Sequence, residues 1–183
     1  MTGPPMTGPP MTGWSDIEVR VAGEPDRSWA RSQLEKRWLS TTIVSRGSAH
    51  DAGNLPALVA TAGGRRVGLV TFRFGDGDCE LVTLDSLEPG RGVGTALVHG
   101  VLQEGRRRGC SRMWLVTSND NLGALGFYQR RGFRLVSVYP GAVDEARKLK
   151  PSIPMVGEHG IEVHDELELE IRLRPGQPAP LLG

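Results

Sequence analysis

The chain has 183 residues, 22 basic against 21 acidic side chains, a net charge of +1 and 2 cysteines. At about 100–200 residues per domain it reads as one globular domain, large enough to bury a core without disulfide or metal staples. The balanced charge excludes the basic footprint of a nucleic-acid binder, and no apolar run nears the ~18 residues that span a bilayer.

The first thirteen residues, MTGPPMTGPPMTG, form a low-complexity Pro/Gly repeat with neither a basic nor an apolar signal region. They are expected to be a disordered leader. Residues 14–174 are expected to form the single domain, and 175–183 a flexible Pro-rich tail. Cys79 and Cys110 form no C-x-x-C pair, so both are expected as small buried apolar residues in a reducing cytoplasm.

Ile17 to Val21 alternates as a short strand, and Glu24-Pro25-Asp26 opens a helix through Trp38 with Ala30, Leu34 and Trp38 along one face. Thr41 to Ser45 is a further short strand, followed by a loop to Asn54. Ala57–Thr61 and Val67–Phe74 flank Gly63-Gly64, a hairpin signal. After a turn at residues 75–78, Cys79–Ser86 is the next strand. Thus far the pattern is an antiparallel meander.

Next, Gly90-Arg91-Gly92-Val93-Gly94 leads into a helix carrying Leu97, Val98, Val101 and Leu102, closed by Arg106-Arg107-Arg108-Gly109. Basic residues there complement the helix dipole, and Gly109 fits a C-terminal cap. Met113–Thr117 is a strand parallel to its predecessor, because a helix joins the two. A helix over about Asn121–Arg131 and a strand over Arg134–Tyr139 follow. An insertion, Pro140 to Val163, holds the helix-like AVDEARKLK. Glu166–Leu173 closes the domain as an alternating strand whose Glu166, Glu168 and Glu170 form a solvated face. The expected fold is α/β (α+β): a mixed sheet, antiparallel in its N-terminal part and parallel at its centre, flanked by helices.

A glycine-rich turn between strand and helix suits a phosphate, because free N–H groups and the positive dipole end converge there. Gly94 is followed by Thr95-Ala96, which lacks the lysine of a Walker loop. A dinucleotide fingerprint would need glycine where Leu97 stands. An ordinary Gly-rich turn is the remaining alternative.

Asn121-Leu-Gly-Ala124-Leu-Gly-Phe127-Tyr128-Gln-Arg-Arg-Gly132-Phe133 reads N-x-x-A-x-x-F-Y-x-x-x-G-F. Together with GRGVGTALV it closely resembles the GNAT superfamily of acyl-CoA-dependent N-acyltransferases. One departure is Pro89, where the family pattern carries a basic or amide residue; Arg91 is an alternative source of charge. The resemblance implies that Gly90, Arg91, Gly92, Val93, Gly94 and Thr95 hold the pyrophosphate of acetyl-CoA. It implies that Asn121, Ala124 and Tyr128 border the pantetheine arm, whose amides bond the backbone of Leu84 and Asp85. Tyr128 is the implied general acid for the departing thiolate; its ordinary pKa near 10 keeps it protonated at neutral pH. Asn121 serves equally as a helix N-cap.

Strict alternation would put Glu80, Val82 and Leu84 on one face and Cys79, Leu81, Thr83 and Asp85 on the other. Glu80 is the first choice of general base and Asp85 the second. Asp76, Asp78 and Glu80 are candidates to attract a cationic amine. The four histidines show no metal-ligand spacing and are expected at surface or loop positions, so no metal is expected. The resemblance implies an acetyltransferase acting on a primary amine of an unidentified acceptor, small-molecule or peptide; acceptor specificity is expected in the first helix and its loop and in the Pro140–Val163 insertion. Acetylation of a protein N-terminus or lysine, and a non-catalytic acyl-CoA sensor, are the alternatives. No nucleic-acid or membrane partner is expected, and a homodimer is compatible with the sequence.

Overall fold

The structure is a computed structural model that describes residues 17–173; the leader and tail expected from sequence lie outside the described residues. Nine strands and four α-helices follow in chain order. They are β1 (Glu18–Val21), α1 (Arg27–Trp38), β2 (Thr42–Ser45), β3 (Ser48–Asp51), β4 (Ala57–Ala62), β5 (Arg65–Gly75) and β6 (Asp78–Ser86). After these come α2 (Val93–Arg107), β7 (Arg112–Ser118), α3 (Leu122–Gln129), β8 (Arg134–Tyr139), α4 (Ala142–Leu149) and β9 (Glu166–Arg172).

Seven strands form one sheet in the order β1-β4-β5-β6-β7-β9-β8. All neighbours are antiparallel except β6 and β7, which α2 joins as the spacing predicts. The segment read as a loop before Asn54 is instead the second arm of a hairpin, since β3 pairs with β2. Its turn, Arg46-Gly47, has both residues at positive φ, the twist a two-residue hairpin favours.

Each face of the sheet has its own core. Leu97, Val98, Val101 and Leu102 of α2 are fully buried against one face, with Val70, Phe72 and Leu81. Ala30 and Leu34 of α1 cover the other, with Ile43, Val59 and Leu69. Both cysteines are free and buried. No helix among the described residues is long and apolar enough to cross a membrane.

Strict alternation fails in β6. Thr71 pairs with Thr83 but Phe72 pairs with Leu81, so Val82 is an extra residue. Such a bulge turns everything beyond it over by one position. Glu80 and Asp85, expected on opposite faces, therefore share the α1 side: Glu80 accepts from Ser45 Oγ and Asp85 from Trp38 Nε1. A bond between the buried Thr71 and Thr83 hydroxyls, 2.8 Å long, pins the register beside the bulge.

Asp26 ties the α1 end of the sheet together. Its buried carboxylate accepts from Arg20 on β1 (2.6 and 3.0 Å), from Arg66 on β5 (2.9 Å) and from the Gly23 N–H (2.9 Å). The Arg20 guanidinium, helped by Gly23 and Arg66, holds this carboxyl far below the usual range. A depressed folded-state pKa gives stability that is present above the unfolded value near 3.9 and lost as pH falls below it. We expect Asp26→Asn to lose on the order of 3 kcal/mol in urea unfolding at pH 7. Below pH 4 the difference from wild type should shrink; a constant difference down to pH 2 would contradict this assignment.

Candidate active site

The turn after β6 delivers the chain to α2 through Gly90 and Gly92, at φ +78° and +83°. Only glycine adopts this left-handed region without strain. Gly92 is the N-cap residue, no side chain caps the helix, and the Ala96 N–H is the one that donates to the Gly92 carbonyl (2.9 Å). The N–H groups ahead of Ala96 are thus at the positive end of a fifteen-residue helix. A Cβ on Gly94 would stand 3.1 Å from the Phe127 ring, so glycine there lets α3 approach α2. Val93 is buried, and Arg91 lies 3.7 Å from Glu88.

A cation that sequence reading passed over sits at this helix end. Arg131 donates to Thr95 Oγ1 from Nε (3.0 Å) and Nη2 (2.6 Å), and its guanidinium lies 3.6 Å over the Phe127 ring. Only the tertiary packing of α3 on α2 brings it there.

β6 and β7 pair at only two positions, Cys79 with Met113 and Glu80 with Trp114. Beyond them β6 continues along β5 to Ser86 while β7 continues along β9 to Ser118. The facing edges of the two strands therefore part, and α3 lies beyond the opening. Asn121 caps α3 by accepting from the Ala124 N–H (2.9 Å). Tyr128 is buried, edge-on to Phe127 and Phe133 with centroids 5.0 and 5.3 Å away. Burial, reinforced by the Asp85 charge, pushes its phenol above the ordinary value. Leu84 packs against the same core.

On the α1 side of the sheet lies a cavity of about 410 Å³, enclosed by the end of α1, β2, β6, β7 and the Pro140–Val163 insertion. Val143 and Ala146 of α4 and Lys150 just past its end face it, and Lys150 Nζ donates to the Trp38 carbonyl (2.9 Å), tying the insertion to α1. Glu80 forms part of its wall, holding Ser45 Oγ (2.7 Å) on one oxygen and Arg73 on the other. Of the residues singled out from sequence, Glu80 and Asn121 reach this cavity. Asp85 and Tyr128 do not line it: burial raises the Asp85 carboxyl, which is held by Trp38 (3.0 Å) and Arg37 (3.5 Å). Asp78, a candidate for attracting an amine, is bound instead to Arg112 and Ser111.

Two further expectations are overturned. Glu166 and Glu168 are buried because the β2–β3 hairpin covers this face of β9, its Arg46 N–H on Glu166 and its Arg46 guanidinium paired with Glu168. Glu166 lines the cavity, accepts from the Arg46 N–H (3.1 Å), and is raised above the usual range by burial and by nearby Glu80. His50 faces inward from β3, its Nε2 buried without a hydrogen-bond partner. Burial and then Arg73 lower its pKa. Periodicity alone cannot distinguish a wet alternating face from one covered by a distant hairpin.

Comparison with known proteins bears on this site. Residues 21–133 match the model of the Acetyltransferase (GNAT) family. The uncharacterised protein YxbD of Bacillus subtilis (strain 168) is 37% identical over 137 residues, 74% of this chain and 86% of its own length. YdhI of the same organism is 43% identical over 104 residues, 57% of this chain and 65% of its own. An acetyltransferase from Bacillus subtilis solved in complex with CoA superposes with a TM-score of 0.63 at 17% identity, covering 87% of this chain and 100% of that one.

Glu166 offers a test of the cavity's electrostatics. A carboxyl whose folded pKa is raised binds protons more tightly when native, so stability falls as pH climbs from its unfolded value near 4.3 to the folded one. Glu166→Gln removes that loss. We expect its melting temperature to gain on wild type as pH rises from 4 to 7; a difference independent of pH would refute the shift.

Proposed function

This chain belongs to the GNAT acetyltransferase family, and we propose that it moves an acetyl group from acetyl-CoA directly to a primary amine of a small molecule. The carrying observation is the parting of β6 and β7 beyond the Glu80–Trp114 pair, between the uncapped α2 N-terminus and the cavity. A diphosphate fits the first: the first-turn amides of Gly92–Thr95, which precede the first intrahelical donor, provide donors, and Arg91 and Arg131 near them provide positive charge. An amide-bearing arm fits the second, because the free edge of β6 offers backbone groups at Leu84 and Asp85 to an added strand.

Acetyl-CoA supplies an activated carbonyl whose leaving group is a thiolate. The amine nitrogen forms the new bond to that carbonyl carbon as the carbon–sulfur bond breaks. Tyr128 donates its phenolic proton to the departing sulfur, a role supported by burial that keeps it protonated. Glu80 receives the proton the amine gives up; Ser45 and Arg73 hold its carboxylate in place where it lines the cavity. Asp85, the other candidate base, has its carboxylate under Trp38, which favours a backbone role for it.

The insertion favours a small acceptor over a protein one. α4 borders the cavity, and Lys150, just past its end, is bonded to α1, so the insertion narrows the space that a peptide would need.

With acetyl-CoA and an amine panel, Tyr128→Phe should lower kcat by about 10²–10⁴-fold while calorimetric affinity for acetyl-CoA stays near wild type. Turnover within twofold would remove Tyr128 from the chemistry. Gly92→Val should lose acetyl-CoA affinity by calorimetry with an unchanged circular dichroism spectrum. Absence of thiol release across the panel, despite acetyl-CoA binding, would favour the sensor alternative.

A further inference from the structure

Five ionisable side chains besides the apolar ones wall the cavity: Arg37, Glu80, Asp120, Lys150 and Glu166. Three are committed within the protein. Arg37 is paired with Asp85 and Glu80 with Arg73. Asp120 accepts from Ser118 Oγ on one oxygen and from the Glu158 N–H (3.0 Å) on the other, holding the loop before β9 in place.

Lys150 and Glu166 differ from these. The Lys150 ammonium is partly buried and bonded to a neutral carbonyl, with no carboxylate in ion-pair range among the described residues. Burial accordingly lowers its pKa. Glu166 is buried and its Oε2 accepts the Arg46 N–H; the Arg46 guanidinium acts on it through space but has its own ion pair with Glu168. A buried charge without an ion pair of its own is costly, and here two of opposite sign share one cavity. Their anchor points lie at the two ends of β2. Lys150 is anchored at Trp38, ahead of β2, whereas Glu166 is anchored at Arg46, just past its far end. The four residues of β2, at about 3.3 Å each, set these ends on the order of 10 Å apart. Between them the wall is largely apolar, with Ile43, Val44, Val82, Val116 and Val143.

We infer that the acceptor is a small amphoteric molecule with an apolar body, its carboxylate paired with Lys150 and its amine received at the Glu166–Glu80 end. This rests on the acetyl transfer proposed above and adds the substrate's second charge. Lys150 selects the substrate and Glu166 draws in its ammonium form; Glu80 then accepts the proton that must leave before attack. A plain alkylamine would leave Lys150 unpaired, and a polycationic amine would meet it as a like charge.

The test uses the full chain with acetyl-CoA and matched amines whose charges stand at opposite ends: 6-aminohexanoate against hexylamine, 5-aminopentanoate against pentylamine, and 4-(aminomethyl)benzoate against benzylamine. Acetylation is read by thiol release, and binding of each amine to the CoA-loaded protein by calorimetry. The expected result is a preference of tenfold or more in kcat/KM for the carboxylate-bearing member of at least one pair, expressed mainly in KM. Lys150→Met should collapse that preference to within threefold, and Lys150→Arg should largely retain it, which separates charge recognition from a folding defect. Equal use of both members of every pair, or a preference that survives Lys150→Met, overturns the inference and leaves acetyl transfer standing. Binding of the carboxylate-bearing members without thiol release overturns acetyl transfer and leaves the inference standing. Neither binding nor turnover of any pair overturns both.

Discussion

The structure turns on the failure of β6 and β7 to remain paired. A buried strand edge must find partners for its N–H and C=O groups, and after two residue pairs β7 no longer provides them for β6. The bulge at Val82 lies just beyond the last of those pairs. A bulge bends its strand and sharpens its twist, which gives a physical cause for the parting. The same extra residue carries Asp85 to the face that holds Glu80. One local irregularity thus shapes both the opening and the side chains around it.

Charge is handled differently on the two sides of the sheet. On the α2 side the core is apolar, and charge gathers at the helix end, where Arg131 joins free amides. On the α1 side several carboxylates are buried, and arginines from distant elements offset them. Arg112 donates to Asp78, Glu168 and Glu170; Arg46 lies between the Trp114 and Tyr139 rings (5.6 and 5.1 Å) and pairs with Glu168 at 3.4 Å. Glu168 also accepts from the Tyr139 hydroxyl (2.7 Å). Each removal of one member would strand a buried charge, so the network makes a rigid floor. It presents the Arg46 N–H to Glu166 and Ser45 to Glu80, while the Arg46 guanidinium forms its ion pair with Glu168.

The order of strands and helices was legible because each element has a strong local signal. α2 shows its apolar stripe and basic end, the Gly63-Gly64 turn announces β4 and β5, and the helix between β6 and β7 requires them to be parallel. The β2–β3 hairpin was not legible. Its turn is Arg46-Gly47, with arginine where asparagine or glycine would have signalled positive φ. That omission hid how the hairpin brings the Arg46 N–H to Glu166 and covers β9.

By itself the sequence determined the family pattern, the element order and the glycine-rich approach to α2, because capping, turn chemistry and apolar periodicity act over a few neighbouring residues. It also marked Glu80, Asp85 and Tyr128 as candidates. Tertiary structure alone decided that β9 sits inside the sheet, that Val82 reverses the strand's parity, and that Arg131, Lys150 and Glu166 reach their sites. Those outcomes depend on which distant segments cover a face, and burial, unlike periodicity, is a property of the assembled chain rather than of any stretch within it.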